Sequence, residues 1–163
     1  MISRGKGMEE KSIKDMSPEK GLLNFNEFKK LHWNSGPTAL QLIISTHLYV
    51  ENGLDVALCK ILPHDDDLVR LSFWNKIVVA RSIGFSLKST KLLEKLNSIR
   101  NKFAHNLDYQ ITWNDLKGIE LNTSYTENDF DEDLTGTIRG ILASFLGYID
   151  ATFDGYSVTK KIG

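Results

Sequence analysis

A chain of 163 residues and 18.5 kDa, 41% hydrophobic and 25% charged, has the makeup of one globular domain with a single core. Twenty basic against twenty-one acidic residues leave a formal charge of -1, which excludes a uniformly basic nucleic-acid-coating protein but not a local basic patch. The lone cysteine, Cys59, excludes a disulfide framework and a Cys-rich zinc site, and the apolar runs fall far short of the roughly 20 residues a membrane span requires.

Residues 1–16 are polar, charged and Gly-containing, and read as a loose arm ahead of a helical domain over 17–155 and a short, frayed tail over 156–163. Arg4 and Lys6 are followed by charged residues and no apolar core, so a secretory signal is not expected. With one cysteine, this points to a cytoplasmic protein that does not engage a membrane.

Ser17-Pro18-Glu19 carries a helix-start pattern: a capping hydroxyl, proline at the first helical position, then an acid at the positive end of the dipole. A helix from there to about Leu31 would bury Leu22, Leu23, Phe25 and Phe28. After Pro37, positions 40, 44, 47, 51, 54, 58 and 61 step by four and three, marking one face of the longest helix, which Pro63 would end. Five are apolar; the exceptions, His47 and Glu51, sit together in the middle.

His64-Asp65-Asp66-Asp67 is expected to start a helix carrying Leu68, Leu71, Phe73, Trp74, Ile77, Val78 and Ile83, stopping near Gly84. Ser89 is expected to cap the next helix, with Leu92, Leu93, Leu96, Ile99 and Phe103 inward. Thr112-Trp113-Asn114-Asp115 reads as a short capped turn. The acidic lead Asp129 to Asp133 opens a last helix with Leu134, Ile138, Ile141, Phe145, Ile149 and Phe153 inward. With no repeat and no sustained alternation, the expected fold is an all-α, single-domain bundle of four to five main helices.

The chemistry concentrates in Leu96-Asn97-Ser98-Ile99-Arg100-Asn101-Lys102-Phe103-Ala104-His105-Asn106. At about 100° per residue Arg100 and His105 differ by roughly 140°, so they do not share a face of one straight helix, whereas Asn101 and His105 do. A helix ending at His105, or a second copy of the chain, would be needed to bring guanidinium and imidazole to one point. Lys91, Lys95, Ser98, Lys102 and His105 form a stripe beside the apolar one, and the five basic residues of 88–102 face one acid, Glu94. Such a stripe attracts a phosphate backbone. Guanidinium holds phosphate bidentately and imidazole titrates near neutrality, so Arg100 and His105 together suffice for RNA cleavage by the neighbouring 2′-hydroxyl without a metal. On spacing alone the commoner reading is structural: Arg100 pairs with a helical acid and His105 ends the helix.

The run Ile99-Arg100-Asn101-Lys102-Phe103-Ala104-His105-Asn106 resembles the signature of HEPN-superfamily domains, an arginine, a polar residue and a histidine near the end of a helix. The stretch from Glu51-Asn52-Gly53-Leu54 through Leu93 resembles the mannitol-repressor-like branch, and the likeness spans roughly residues 37–110. It implies a HEPN-like helical bundle, a homodimer whose two motifs face one cleft, and a metal-independent endoribonuclease of the toxin–antitoxin or phage-defence kind, answering to a protein antitoxin or regulator. Carried over, Arg100, Asn101 and His105 form the catalytic set, and Lys91, Lys95 and Lys102 track RNA. The alternative it implies is a non-catalytic, mannitol-repressor-like regulatory or interaction module.

Glu51, one turn from His47, either orients Arg100 or His105 from the long helix or pairs locally with His47. The runs His64–Asp67 and Asp129–Asp133 hold possible metal ligands, but consecutive acids at a helix start cap it, so no metal or other cofactor is expected. Trp33, Trp74 and Trp113 are too scattered for a stacking platform and are expected to anchor the core or an interface.

Overall fold

The computed structural model describes residues 24–62, 67–106, 108–121 and 123–159. All regular structure among them is helical: α1 (Phe25–His32), α2 (Ala39–Cys59), α3 (Phe73–Ser82), α4 (Leu87–His105), α5 (Trp113–Leu116), α6 (Glu127–Glu132) and α7 (Leu134–Thr159), with one 3-10 turn at Leu68–Arg70. The two longest helices, α2 and α7, pack along each other, α4 lies against α2 and α3, and α1 caps one flank of α2. The all-α expectation holds, with five main helices and two short ones.

Local chemistry sets most boundaries. Asn24 caps α1 through a reciprocal capping box with Glu27, and Thr38 caps α2 in the same way with Gln41. The Ser17-Pro18 start and the burial of Leu22 and Leu23 lie outside the described residues, as do His64–Asp66 and the Pro63 stop. The segment expected as one helix from Asp67 to Ile83 is broken at Leu71. Ser72 is extended there and caps α3 by accepting from the Asn75 amide, which leaves only the 3-10 turn before it. Gly84, at φ 106, turns the chain out of α3 into a conformation that a Cβ would strain.

The cap of α4 is Ser86, three residues earlier than expected; its hydroxyl accepts from the Ser89 amide. Ser89 is buried inside the first turn, its hydroxyl among those of Ser86, Tyr148 and Thr152. The acidic lead splits into two caps. Asp129 completes the capping box of α6 with Thr126, and Asp133 accepts from Gly136 at the start of α7. Instead of fraying at Gly155, α7 runs to Thr159, with the Tyr156 ring stacked on Phe85 and its hydroxyl donating to the Gly84 carbonyl.

The α4 stripe of Leu92, Leu93, Leu96, Ile99 and Phe103 is buried as expected, as are Ile138, Ile141, Phe145, Ile149 and Phe153 of α7, whereas Leu134 is exposed. Each fully buried Leu, Ile or Phe contributes roughly 1.5–3 kcal/mol relative to exposure. The long helix departs from its expected face. Leu42, Ile43, Thr46, His47, Val50, Leu54, Ala57 and Leu58 are buried, Leu40 is exposed, and Ile44 opens on the α1 side. Packing by α7 on one flank and α3 and α4 on another widens and rotates the buried arc beyond a single stripe. At Gly53 the approach to α7 is so close that an added Cβ would lie 3.1 Å from the Phe153 ring.

Candidate functional site

The C-terminal half of α4 carries the motif at the edge of the bundle. The helix ends at His105, where the extended backbone of Asn106 still donates to the Lys102 carbonyl. Asn97, Ser98, Asn101 and His105 recur at helical spacing along one flank of α4, and Trp74 of α3 stands beside them. Together with Glu94 and Lys102 they line an open groove of about 460 Å³. His105 is exposed there.

Arg100 is half-buried and does not line the groove. Its Nη1 donates to Asn101 Oδ1 at 3.1 Å, so the amide links the guanidinium to the face that carries His105. The angular separation expected from helical geometry is thus present within one chain, and Asn101 is what spans it.

Behind the groove lies a polar network that the sequence did not expose. His47, 5% exposed, packs its ring against Phe73 at 4.4 Å and places Nε2 3.3 Å from Asn97 Oδ1, a contact in which the ring nitrogen donates. Burial holds the His47 imidazole below its usual titration range; the Asn97 bond and Glu51 oppose that shift, and the positive charges of Arg100 and Lys76 reinforce it.

Glu51 lies beside His47, as the local pairing predicts, but its closer partner is Lys76. Its carboxylate is 3.8 Å from His47 Nδ1, too far for a hydrogen bond, and is held instead at 3.1 Å by Lys76 of α3. Lys76 is only 2% exposed and also lies 2.9 Å from Asp55 Oδ2. Burial alone would lower the Lys76 ammonium, but its two carboxylates outweigh that and raise it; Asp55 is pushed up by burial despite the lysine. In the sequence Lys76 is one polar residue in an amphipathic helix, and nothing local marks it as buried.

The basic stripe is partly engaged by the protein itself. Lys91 is exposed, but the aliphatic stem of Lys95 lies against Gly118, where an added Cβ would come within 2.7 Å of it. Lys102 bonds Asp115 at 2.6 Å. Asp115 is buried and also accepts from the Tyr109 hydroxyl and from the Thr112 amide and hydroxyl. Burial would raise this carboxyl, but the four donors hold it well below the usual carboxylate range. Glu94, the acid within the stripe, is paired with Arg81.

The tryptophans divide. Trp33 is buried, Trp113 half-buried, and Trp74 is 47% exposed on the groove wall. No helix among the described residues is long and apolar enough to cross a membrane. A scan against protein-family models, a search of curated proteins and a search of solved structures each found no match.

Proposed function

We propose that the groove is the active site of a metal-independent endoribonuclease of HEPN type, working as a homodimer. The observation that supports this most is the exposed imidazole of His105 on an open groove whose neighbouring amide, Asn101, is bonded to the Arg100 guanidinium. His105 removes the proton of a ribose 2′-hydroxyl, the 2′-oxygen attacks the adjacent phosphorus, and the bond to the 5′-oxygen breaks. The products are a 2′,3′-cyclic phosphate and a 5′-hydroxyl, the leaving oxygen taking its proton from an imidazolium, which a second copy of the chain would provide. Arg100 neutralises the phosphorane charge, and Asn101 holds that guanidinium in register with the groove.

Incubation with mixed RNA in EDTA tests this. Wild-type protein is expected to leave cyclic-phosphate ends, with His105→Ala and Arg100→Ala each slower by about 100-fold or more. Activity surviving both substitutions overturns the assignment. A folded, inactive wild-type dimer favours a non-catalytic regulatory module of mannitol-repressor-like type. The observation on that side is that Lys102 is held by Asp115 and Arg100 stands outside the groove lining.

A further inference from the structure

Trp74 has no core role. Its neighbour Phe73 faces inward onto His47, while the Trp74 indole is left 47% exposed. It provides the one indole lining the groove among the described residues, against a wall of polar α4 side chains that includes the His105 imidazole. Two of these are amides with partners inside the protein: Asn101 Oδ1 accepts from Arg100, and Asn97 Oδ1 lies 3.3 Å from His47 Nε2, which leaves the two amide nitrogens as the groups that can donate to a ligand. Arg100, bonded to Asn101, places a positive charge beside the groove, and Lys91 is exposed further back on the same helix.

A flat π face, amide donors and an adjoining cation suit a planar heteroaromatic ring with an acceptor edge, joined to an anionic backbone. We propose that Trp74 stacks an unpaired base of single-stranded RNA, with the Asn97 and Asn101 amides donating to acceptor atoms on the edge of that base. This rests on the reading of the groove as an RNA site and narrows its substrate to single strands. In a duplex both faces of each base are covered by their neighbours, so no face is left for the indole.

Binding is separated from cleavage by titrating the full chain with a short 2′-O-methyl oligonucleotide, which lacks the attacking hydroxyl, single-stranded or annealed to its complement. Trp33 is buried, which leaves Trp74 as the most solvent-accessible of the three indoles to report through intrinsic fluorescence. The single strand is expected to quench wild type and His105→Ala alike, and the duplex to leave the emission unchanged. Trp74→Ala should weaken single-strand binding roughly 5- to 150-fold, the span of one stacked base. Trp74→Phe should bind close to wild type but lose the quench.

Equal binding of single strand and duplex, or an affinity indifferent to Trp74→Ala, overturns the proposal. So does a wild-type dimer that Trp74→Ala turns into monomers with no RNA-dependent quench, because the indole would then be a protein interface. Cleavage of unmodified RNA that is insensitive to Trp74→Ala sinks this proposal alone. Trp74-dependent binding of single strands by a protein that cleaves nothing sinks the nuclease reading alone.

Discussion

Lys76 is the most consequential residue that the chain hides, and Lys76→Met tests the account of the network. The substitution keeps the aliphatic stem and removes the ammonium that lies 3.1 Å from Glu51 and 2.8 and 2.9 Å from the two oxygens of Asp55. The Lys76, Glu51 and Asp55 side chains are 3%, 26% and 16% exposed, so water screens the pair of carboxylates poorly once the cation is gone. Breaking a buried ion pair from one side costs about 3–5 kcal/mol. With a urea m-value of about 2 kcal/mol per M, the midpoint should fall by roughly 1.5–2.5 M at neutral pH.

The pH dependence has a fixed sign. Burial raises Asp55 even beside the lysine, and without Lys76 it rises further. A carboxyl whose folded pKa exceeds its unfolded one favours the folded state as pH falls through the folded value. The gap between wild type and Lys76→Met should therefore narrow from about pH 7 to about pH 5. Adding Glu51→Gln and Asp55→Asn to Lys76→Met should recover most of the loss, because the neutral triple leaves no unpaired charge. Urea melts monitored by far-UV circular dichroism at two pH values read all of this. A cost below about 1 kcal/mol, or a gap that widens on acidification, refutes the reasoning.

The buried imidazole gives a second pH signature. Because His47 is held below its ordinary value in the folded state, its contribution is full above about pH 6.5 and declines as pH falls from there toward the folded pKa. His47→Gln, which keeps a donor for Asn97, should remove that part of the decline in thermal melts; an unchanged slope would show that His47 is not its source. Asp115→Asn exchanges a carboxylate with four donors for a neutral amide and should cost about 2 kcal/mol in urea melts near neutrality. As the Asp115 carboxyl is depressed in the folded state, its contribution is lost as pH falls below the unfolded carboxylate value, so the deficit of the variant should shrink in acid. A deficit that stays constant from about pH 5 down to about pH 3 would contradict this.

Much of the bundle follows from local pattern. The α4 stripe, the α5 capping box, the stop at Gly84 and the inward positions of α7 are decided by periodicity and by residues adjacent in sequence, and the chain states them directly. Neighbours can overrule a local signal: Ser86 caps α4 in place of the expected Ser89, whose hydroxyl is buried among those of Ser86, Tyr148 and Thr152. The face of α2 was legible only in part. That helix is apolar on several sides, and which sides are buried depends on where α7, α3 and α4 come to rest.

The same division runs through the site. The polar face shared by Asn101 and His105 and the separation of Arg100 from them are legible in residue spacing, because helical geometry is a property of spacing. Helix packing is what sets Glu51 against Lys76, Lys102 against Asp115, and Trp74 on the groove wall. Those partners lie 25, 13 and more residues apart in the chain. Contacts across such distances are set by how whole helices pack, a collective property of the core that no local window of sequence contains.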